Sequence, residues 1–95
     1  NGGIGCISVT ANVSPKLCAN IYNSWKKGDI ETAMKLNYKL FPLNKILFAE
    51  TSPSPVKYAL NKLNKCSNIL RLPLVSVSDL TKHEIDKVLD QLDLK

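Results

Sequence analysis

The stretch Asn1–Val13, NGGIGCISVTANV, decides how the rest of this chain is interpreted. Glycines crowd its start, residues 6–10 are of strand-forming type, and Pro15 then opens a helical pattern. A glycine turn, a short apolar strand and a helix in this order indicate a β/α unit. Because a parallel strand is buried between neighbouring strands, this stretch predicts that the chain is one piece of a larger fold.

The composition is that of an ordinary globular domain. The chain has 95 residues, of which 44% are hydrophobic and 22% charged, the usual proportions for one small domain. No apolar run is long enough to span a membrane, and the start has no signal-peptide pattern. Cys6, Cys18 and Cys66 are an odd number without metal-site spacing, which favours free thiols in a reducing compartment. We therefore expect a cytoplasmic protein with no membrane partner.

The positive charge is spread along the chain. The formal net charge is +5 and comes almost entirely from lysine, whereas nucleic-acid readers concentrate their charge and use arginine for bidentate contacts. The one dense pair, Lys26–Lys27, falls where a helix is predicted to end, and cations there offset the helix dipole. We expect no nucleic-acid partner. A stand-alone basic helical binding module, which would bind nucleic acid in a salt-sensitive way, is kept as an alternative.

After the first strand, the pattern predicts about four helices, so the chain is expected to be mainly α. Ser14–Pro15 marks one helix start, and Gly28 marks its end. Asp29 caps a second, longer helix, in which Pro42 is expected to cause a kink or a break because it lacks a backbone donor. The predicted buried stripes of these two helices contain Leu17, Cys18, Ile21, Tyr22, Trp25, Ile30, Ala33, Met34, Leu40, Phe41, Leu43, Leu47 and Phe48.

The second half of the chain predicts two further helices and an extended segment. Residues 51–55, with two prolines, are expected to form a rigid elbow before a third helix that ends at residues 66–68. Residues 69–77 are predicted to be extended. Thr81 and Glu84 have the spacing of a capping box at the start of the last helix. The buried stripes here contain Val56, Ala59, Leu60, Leu63, Ile85, Val88, Leu89 and Leu92.

The residues alone contain no recognisable catalytic or metal-binding set. His83 is the single histidine and has no Cys, Asp or Glu at ligand spacing. The glycines of residues 2–5 precede the strand, whereas a phosphate-binding glycine loop follows one. No lysine lies in an apolar strand, where desolvation would lower its pKa for Schiff-base chemistry. We therefore predict no catalytic residue and no metal site within this chain.

Five motifs resemble one enzyme family. Residues 2–13 (GGIGCISVTANV), 28–29 (GD), 40–45 (LFPLNK), 53–60 (PSPVKYAL) and 70–74 (LRLPL) are similar, in order and in spacing, to the 4-hydroxy-tetrahydrodipicolinate synthase family, also called dihydrodipicolinate synthase. The resemblance covers essentially the whole chain. Departures at Cys6, Asn44, Ser52 and Ser54 fall where they bear on packing.

The resemblance implies a specific fold and activity for the parent protein. The family is an α/β (β/α)8 TIM-barrel lyase with a C-terminal helical domain, and it condenses pyruvate with L-aspartate 4-semialdehyde through a lysine Schiff base in lysine and diaminopimelate biosynthesis. Residues 1–28 then correspond to the last strand and helix of the barrel, and residues 29–95 to the C-terminal helical domain. A related pyruvate lyase, such as N-acetylneuraminate lyase, is an alternative that fits these motifs less well.

The resemblance also implies how this chain relates to the active site. The Schiff-base lysine and catalytic tyrosines have no counterpart in it, so the chain by itself is expected to be inactive. Ile7 matches an isoleucine whose main chain lies against bound pyruvate, and it is the one substrate-binding residue implied. No cofactor is expected. The intact enzyme is expected to be a homo-oligomer, commonly a tetramer. In the isolated chain, the N-terminal strand is expected either to pair with another copy, so that the chain self-associates, or to be held against the chain's own helices.

Overall fold

A computed structural model describes residues 3–93, which form five helices and, within that range, no strand. The helices are α1 (Thr10–Val13), α2 (Pro15–Lys26), α3 (Ile30–Ile46), α4 (Ser54–Lys62) and α5 (Asp79–Gln91). In chain order, α1 packs on α2 and α4, α2 on α3, and α5 on both α3 and α4. None of these described helices has the length and apolarity that crossing a membrane requires.

The predicted N-terminal strand at residues 6–10 is absent. Residues 5–8 have no regular secondary structure, and Thr10 already begins α1. The physical reason is that a strand needs a partner for its backbone N–H and C=O groups, and residues 3–93 contain no second strand to supply one. The mainly helical character of the chain is confirmed. The predicted glycine turn includes Gly2, which lies outside the described residues.

The core lies where α3, α4 and α5 meet. Five residues have no exposed surface: Leu43 of α3, Leu47 at the C-cap of α3, Ala59 of α4, and Ile85 and Leu89 of α5. Their spacings of four residues place them on one face of each helix, as the sequence predicts. Burying a leucine or isoleucine side chain contributes about 1.5–3 kcal/mol, so this cluster holds the three helices together. The other buried apolar residues of the cluster are Val13, Leu40, Val56, Tyr58, Val77, Val88 and Leu92.

The apolar side chains of α2 are less buried than the sequence predicts. No residue of this helix is buried. Leu17, Cys18 and Ile21 are partly buried against the core cluster, whereas Tyr22 and Trp25 keep 48% and 49% of their surface exposed. The helix therefore has one apolar face that the described residues only half cover.

The turn between α2 and α3 has the predicted caps. Gly28 has a φ of +84°, in the left-handed region that glycine tolerates best. Its N–H donates to the Trp25 carbonyl, and the Asp29 N–H donates to the Ser24 carbonyl, which together form a Schellman motif. The Asp29 carboxylate then accepts from the Thr32 N–H at 3.2 Å. The predicted end of α2 and start of α3 are confirmed.

Of the kink or break predicted at Pro42, the break is wrong, since α3 runs through Pro42 to Ile46, and the kink stays a prediction. Proline removes the bond to the carbonyl four residues earlier and costs about 3 kcal/mol inside a helix. That carbonyl belongs to Tyr38, which is 69% exposed, so water can satisfy it. Leu40 and Leu43, on either side of Pro42, are 2% and 0% exposed. Their packing holds the helix together across the proline.

Three boundaries in the second half also differ from the predictions. Helix α4 already begins at Ser54, with Pro55 in its first turn, so the end of the predicted elbow is helical. Helix α5 begins at Asp79, and its N-cap is Ser78, whose side chain accepts from the Thr81 N–H at 3.4 Å. The predicted capping box from Thr81 to Glu84 is therefore wrong, because both residues lie inside the helix. Helix α4 ends at Lys62, before the predicted end at residues 66–68, whereas residues 69–77 contain no helix, as predicted.

Candidate functional site

Ile7, the one site residue that the sequence predicts, lies on the surface of the described chain. Its relative exposure is 107%, and that of Ile4 is 97%. Neither side chain belongs to the core cluster. Two fully exposed isoleucines on one short segment are unusual, because large apolar side chains gain about 1.5–3 kcal/mol from burial. Residues 3–9, which we call the N-terminal segment, therefore present apolar side chains that the described residues leave uncovered.

Hydrogen bonds hold the C-terminal end of the N-terminal segment in place. Ser8 Oγ accepts from the Ala11 N–H at 3.1 Å, and Asn12 Nδ2 donates to the Val9 carbonyl at 3.2 Å. Thr10 Oγ1 donates to Asn44 Oδ1 across 34 residues of sequence. These bonds fix the direction in which the segment leaves α1, although its tip is exposed.

The sequence analysis does not predict the hydrogen bond between Thr10 and Asn44. Thr10 is 7% exposed, and the bond ties the start of α1 to the last turn of α3. The sequence does contain a signal, because Asn44 is a polar residue on the apolar face of α3 between Leu40 and Leu47. Thr10 is the buried residue of the pair, and a buried polar side chain requires a hydrogen-bond partner, which the partly buried Asn44 supplies.

An open groove lies between the N-terminal segment, α2 and α3. Its volume is about 710 Å³. Cys6 lines it from the segment and Cys18 from α2. Burial raises the pKa of the Cys18 thiol, and the charge of the Cys6 thiolate adds to this effect. The remaining wall is mainly apolar and aromatic, and it contains Gly3, Ser8, Thr10, Ala11, Ile21, Tyr22, Trp25, Ala33, Met34, Asn37, Leu40 and Asn44.

A polar cluster on the other side of the molecule holds the start of α5. Glu50 Oε2 accepts from the Ser78 N–H at 3.0 Å and from Ser78 Oγ at 2.9 Å. Hydrogen bonding from the Thr81 side chain, then from the Ser78 backbone and side chain, lowers the pKa of Glu50. Glu50 therefore acts as the acid of a capping box, supplied from 28 residues away. This arrangement stabilises the helix start.

A second polar contact surrounds the Tyr58 ring. The Tyr58 hydroxyl donates to the Asp86 carboxylate at 3.2 Å. The Lys62 and Lys82 ammonium groups lie 5.8 and 5.9 Å from the ring centroid, within the range of cation–π attraction. Tyr58 is 7% exposed and Lys62 also lies 3.8 Å from Asp86. The contact joins α4 to α5 and offers no open space for a substrate.

The described residues assemble no catalytic set. His83 is exposed in the first turns of α5, and residues 3–93 bring together no three His, Cys, Asp or Glu side chains that could hold a metal ion. No lysine in that range is buried. A Schiff-base lysine requires a desolvated pocket, and the lysines described here have none.

The model of one protein family matches almost the whole chain. The model of the dihydrodipicolinate synthetase family matches residues 1–92. The chain belongs to this family. It is 50% identical over 94 residues to the 4-hydroxy-tetrahydrodipicolinate synthase of Bartonella bacilliformis, covering 99% of this chain and 32% of that enzyme. The family resemblance found in the sequence motifs is confirmed.

Solved structures of family members have the same backbone arrangement. The crystal structure of dihydrodipicolinate synthase from Thermotoga maritima superimposes with a TM-score of 0.96 at 42% identity, over 99% of this chain and 32% of that one. The Acinetobacter baumannii enzyme, solved in complex with pyruvate, gives a TM-score of 0.93 at 33% identity, over 99% of this chain and 32% of that one. The chain thus spans about a third of the length of the relatives that it matches.

Proposed function

We propose that this chain is the C-terminal part of a 4-hydroxy-tetrahydrodipicolinate synthase, a pyruvate-dependent lyase. The observation that carries the proposal is the similarity along the whole chain, with 50% identity to one family enzyme and a TM-score of 0.96 to another. In this proposal, residues 1–28 are the last strand and helix of a (β/α)8 barrel, and residues 29–95 form the helical domain that follows it.

The exposed N-terminal segment supports this division. Ile4 and Ile7 are fully exposed, and Tyr22 and Trp25 of α2 are half exposed. In a barrel, a strand pairs with neighbours on both sides, and the helix that follows packs back on the sheet. The rest of the barrel would therefore cover the surfaces that the described residues leave open.

In the assembled enzyme, the reaction would run through a lysine outside this chain. That lysine would form a Schiff base with pyruvate, the resulting enamine would add to L-aspartate 4-semialdehyde, and the product would cyclise. Active sites of β/α barrels lie at the carboxyl ends of the strands, which is where residues 7–10 would lie. The Ile7 main chain would contact pyruvate, while α1–α5 would support the barrel and a homotetramer in the cytoplasm.

A chimeric enzyme tests the proposal directly. The chimera joins the preceding part of the B. bacilliformis enzyme to this chain, in place of the 94 residues that align with it. We expect it to condense pyruvate with aspartate semialdehyde, and borohydride to trap pyruvate on it. The chain by itself should show neither turnover nor an adduct, because it lacks the nucleophile.

The controls separate the possible outcomes. The intact B. bacilliformis enzyme gives the reference activity, and its truncated form without the exchanged part shows whether this chain is needed. A folded chimera without activity would contradict the proposal. Cleavage of N-acetylneuraminate in place of the condensation would assign the chain to a sister lyase. An adduct on the chain alone would show that the nucleophile lies within it.

The unpaired segment also bears on the behaviour of the isolated chain. Unpaired strand-like backbone with exposed apolar side chains is a template for pairing with another chain. In our proposal, the isolated chain self-associates through residues 3–9 until the rest of the barrel covers them. A strictly monomeric elution on size-exclusion chromatography across a range of concentrations would contradict this part.

A further inference from the structure

Thr10 and Asn44 join the C-terminal end of the N-terminal segment to the helical core. Thr10 Oγ1 donates to Asn44 Oδ1 across 34 residues of sequence. Thr10 begins α1 directly after the segment, and Asn44 lies in the last turn of α3. We propose that Asn44 is a positioning residue, which acts through Thr10 to hold residues 7–10 in place at the active site. This role rests on the proposed function and extends it, since the helical domain then takes part in substrate binding.

Asn44 is attached to the most completely buried part of the chain. It is next to Leu43 and three residues before Leu47, and neither leucine has any exposed surface. Protein interiors are close-packed, so a shift of this part of α3 would open a cavity in the core. The backbone at Asn44 therefore has a fixed place relative to α4 and α5.

The path from this bond to the segment is short and restrained. Thr10 is 7% exposed, so water cannot readily replace a lost hydrogen-bond partner of its hydroxyl. The preceding residue, Val9, is packed against the core cluster. Ser8 Oγ accepts from the Ala11 N–H at 3.1 Å, which holds the entry to α1. A restraint on Thr10 is therefore passed on to residues 7–9.

The same arrangement is compatible with the assembled barrel. The backbone superimposes on the T. maritima enzyme with a TM-score of 0.96 over 99% of this chain, so α1 and α3 have the same relative placement there. Covering the segment with other strands leaves Thr10 and Asn44 on their own helices. Active sites of β/α barrels lie at the carboxyl ends of the strands, where the proposed function puts residues 7–10 and the contact of the Ile7 main chain with pyruvate.

Without the bond, pyruvate must bind to a segment that is in position for only part of the time. A site that is competent for a fraction of the time binds its ligand more weakly by that fraction. From the net contribution of one hydrogen bond, we expect Thr10→Val and Asn44→Leu in the chimera to raise KM for pyruvate about three- to tenfold. KM for aspartate semialdehyde and kcat should change by less than about twofold, because an interaction shared by ground state and transition state affects KM alone.

Three further variants separate positioning from a general loss of stability. The double variant Thr10→Val/Asn44→Leu should raise KM for pyruvate no further than either single variant, because both substitutions remove the same bond. Asn44→Asp keeps an acceptor oxygen at the same place and should restore the KM of the unmutated chimera. Ser78→Ala removes the N-cap hydroxyl of α5, and it should lower the thermal midpoint while both KM values stay unchanged.

The outcomes distinguish the positioning role from the proposed function. An active chimera in which Thr10→Val and Asn44→Leu leave KM for pyruvate unchanged would overturn the positioning role alone. An equal rise of KM in Ser78→Ala, or additive rises in the double variant, would also overturn it. A folded but inactive unmutated chimera would contradict the proposed function, and the positioning role with it. If Asn44→Leu does not fold, Thr10→Val decides, because it removes the same bond from its other partner.

Discussion

The N-terminal segment and the helices α3–α5 differ in where their apolar side chains lie. Ile4 and Ile7 of the segment are 97% and 107% exposed, whereas Leu43, Ile85 and Leu89 of the helices are completely buried. Both regions carry large aliphatic residues, so composition does not distinguish them. The difference is that each helix satisfies its own backbone and needs only a partner for one face, while a strand needs a partner for its backbone as well.

This difference indicates which part of the chain holds its own structure. Helix α5 packs on both α3 and α4, the Glu50–Ser78 contact holds the start of α5, and the Tyr58–Asp86 contact joins α4 to α5. The hydrogen bonds that hold the N-terminal segment lie at its C-terminal end, at Ser8 and at the adjoining Thr10. We therefore expect substitutions in the helices to change stability, and substitutions in the segment to change association and assembly.

The largest expected effect is on the free energy of unfolding, when a large aliphatic side chain in either region is truncated to alanine. Leu89→Ala should lower the free energy of unfolding by about 2–5 kcal/mol, because it leaves a cavity in the core. Ile7→Ala and Leu80→Ala, at exposed positions, should change it by no more than about 0.5 kcal/mol. Urea unfolding followed by circular dichroism measures all three. A loss of stability in Ile7→Ala as large as that in Leu89→Ala would remove the distinction between the regions.

A smaller effect is expected at the start of α5. Ser78→Ala should cost about 1 kcal/mol, because Ser78 is the N-cap and its hydroxyl also donates to Glu50. Glu84→Gln should leave the stability unchanged, since Glu84 lies within the helix and is not the partner of a cap. The same urea titration compares the two variants. Greater sensitivity to Glu84→Gln would instead restore the capping box that the sequence predicts.

The smallest effect is a dependence on pH. Hydrogen bonds from Thr81 and Ser78 lower the folded-state pKa of Glu50. A depressed carboxyl pKa stabilises the fold above the ordinary glutamate pKa of about 4.3, and this contribution is lost as the pH falls below that value through the folded-state pKa. Urea midpoints measured across this range should therefore fall less in Glu50→Gln than in the unmutated chain.

Asp29 gives a matched comparison for the same measurement. The Thr32 side chain and then the Thr32 N–H lower the pKa of its carboxyl, so its contribution has the same sign and is lost from about 3.9 downward. Asp29→Asn should remove the pH-dependent stabilisation that comes from Asp29 and leave the stabilisation that comes from Glu50 intact. If neither variant altered the acid limb of the stability curve, these caps would not be the groups that titrate.

Much of the fold could be predicted from local signals. The Gly28 and Asp29 caps and the four-residue spacing of Leu43 with Leu47 and of Ile85 with Leu89 depend on neighbours within one or two turns of helix. Of the kink or break predicted at Pro42, the break is wrong, because the packing of the flanking leucines is a tertiary effect. The candidate site was less accessible to prediction. The prediction for Ile7 came from family resemblance, and the groove depends on α2 and α3 lying side by side.

The sequence by itself determined the family, the buried stripes of the core and the caps at Gly28 and Asp29, because these depend on residue types at short spacings. Only the tertiary structure decided that residues 5–8 remain without a strand, that Glu50 caps α5 from 28 residues away, and that Thr10 bonds to Asn44. The physical reason is the same in each case. A backbone or buried polar group needs a partner, and for these groups the partner is either distant in sequence or absent from the described residues.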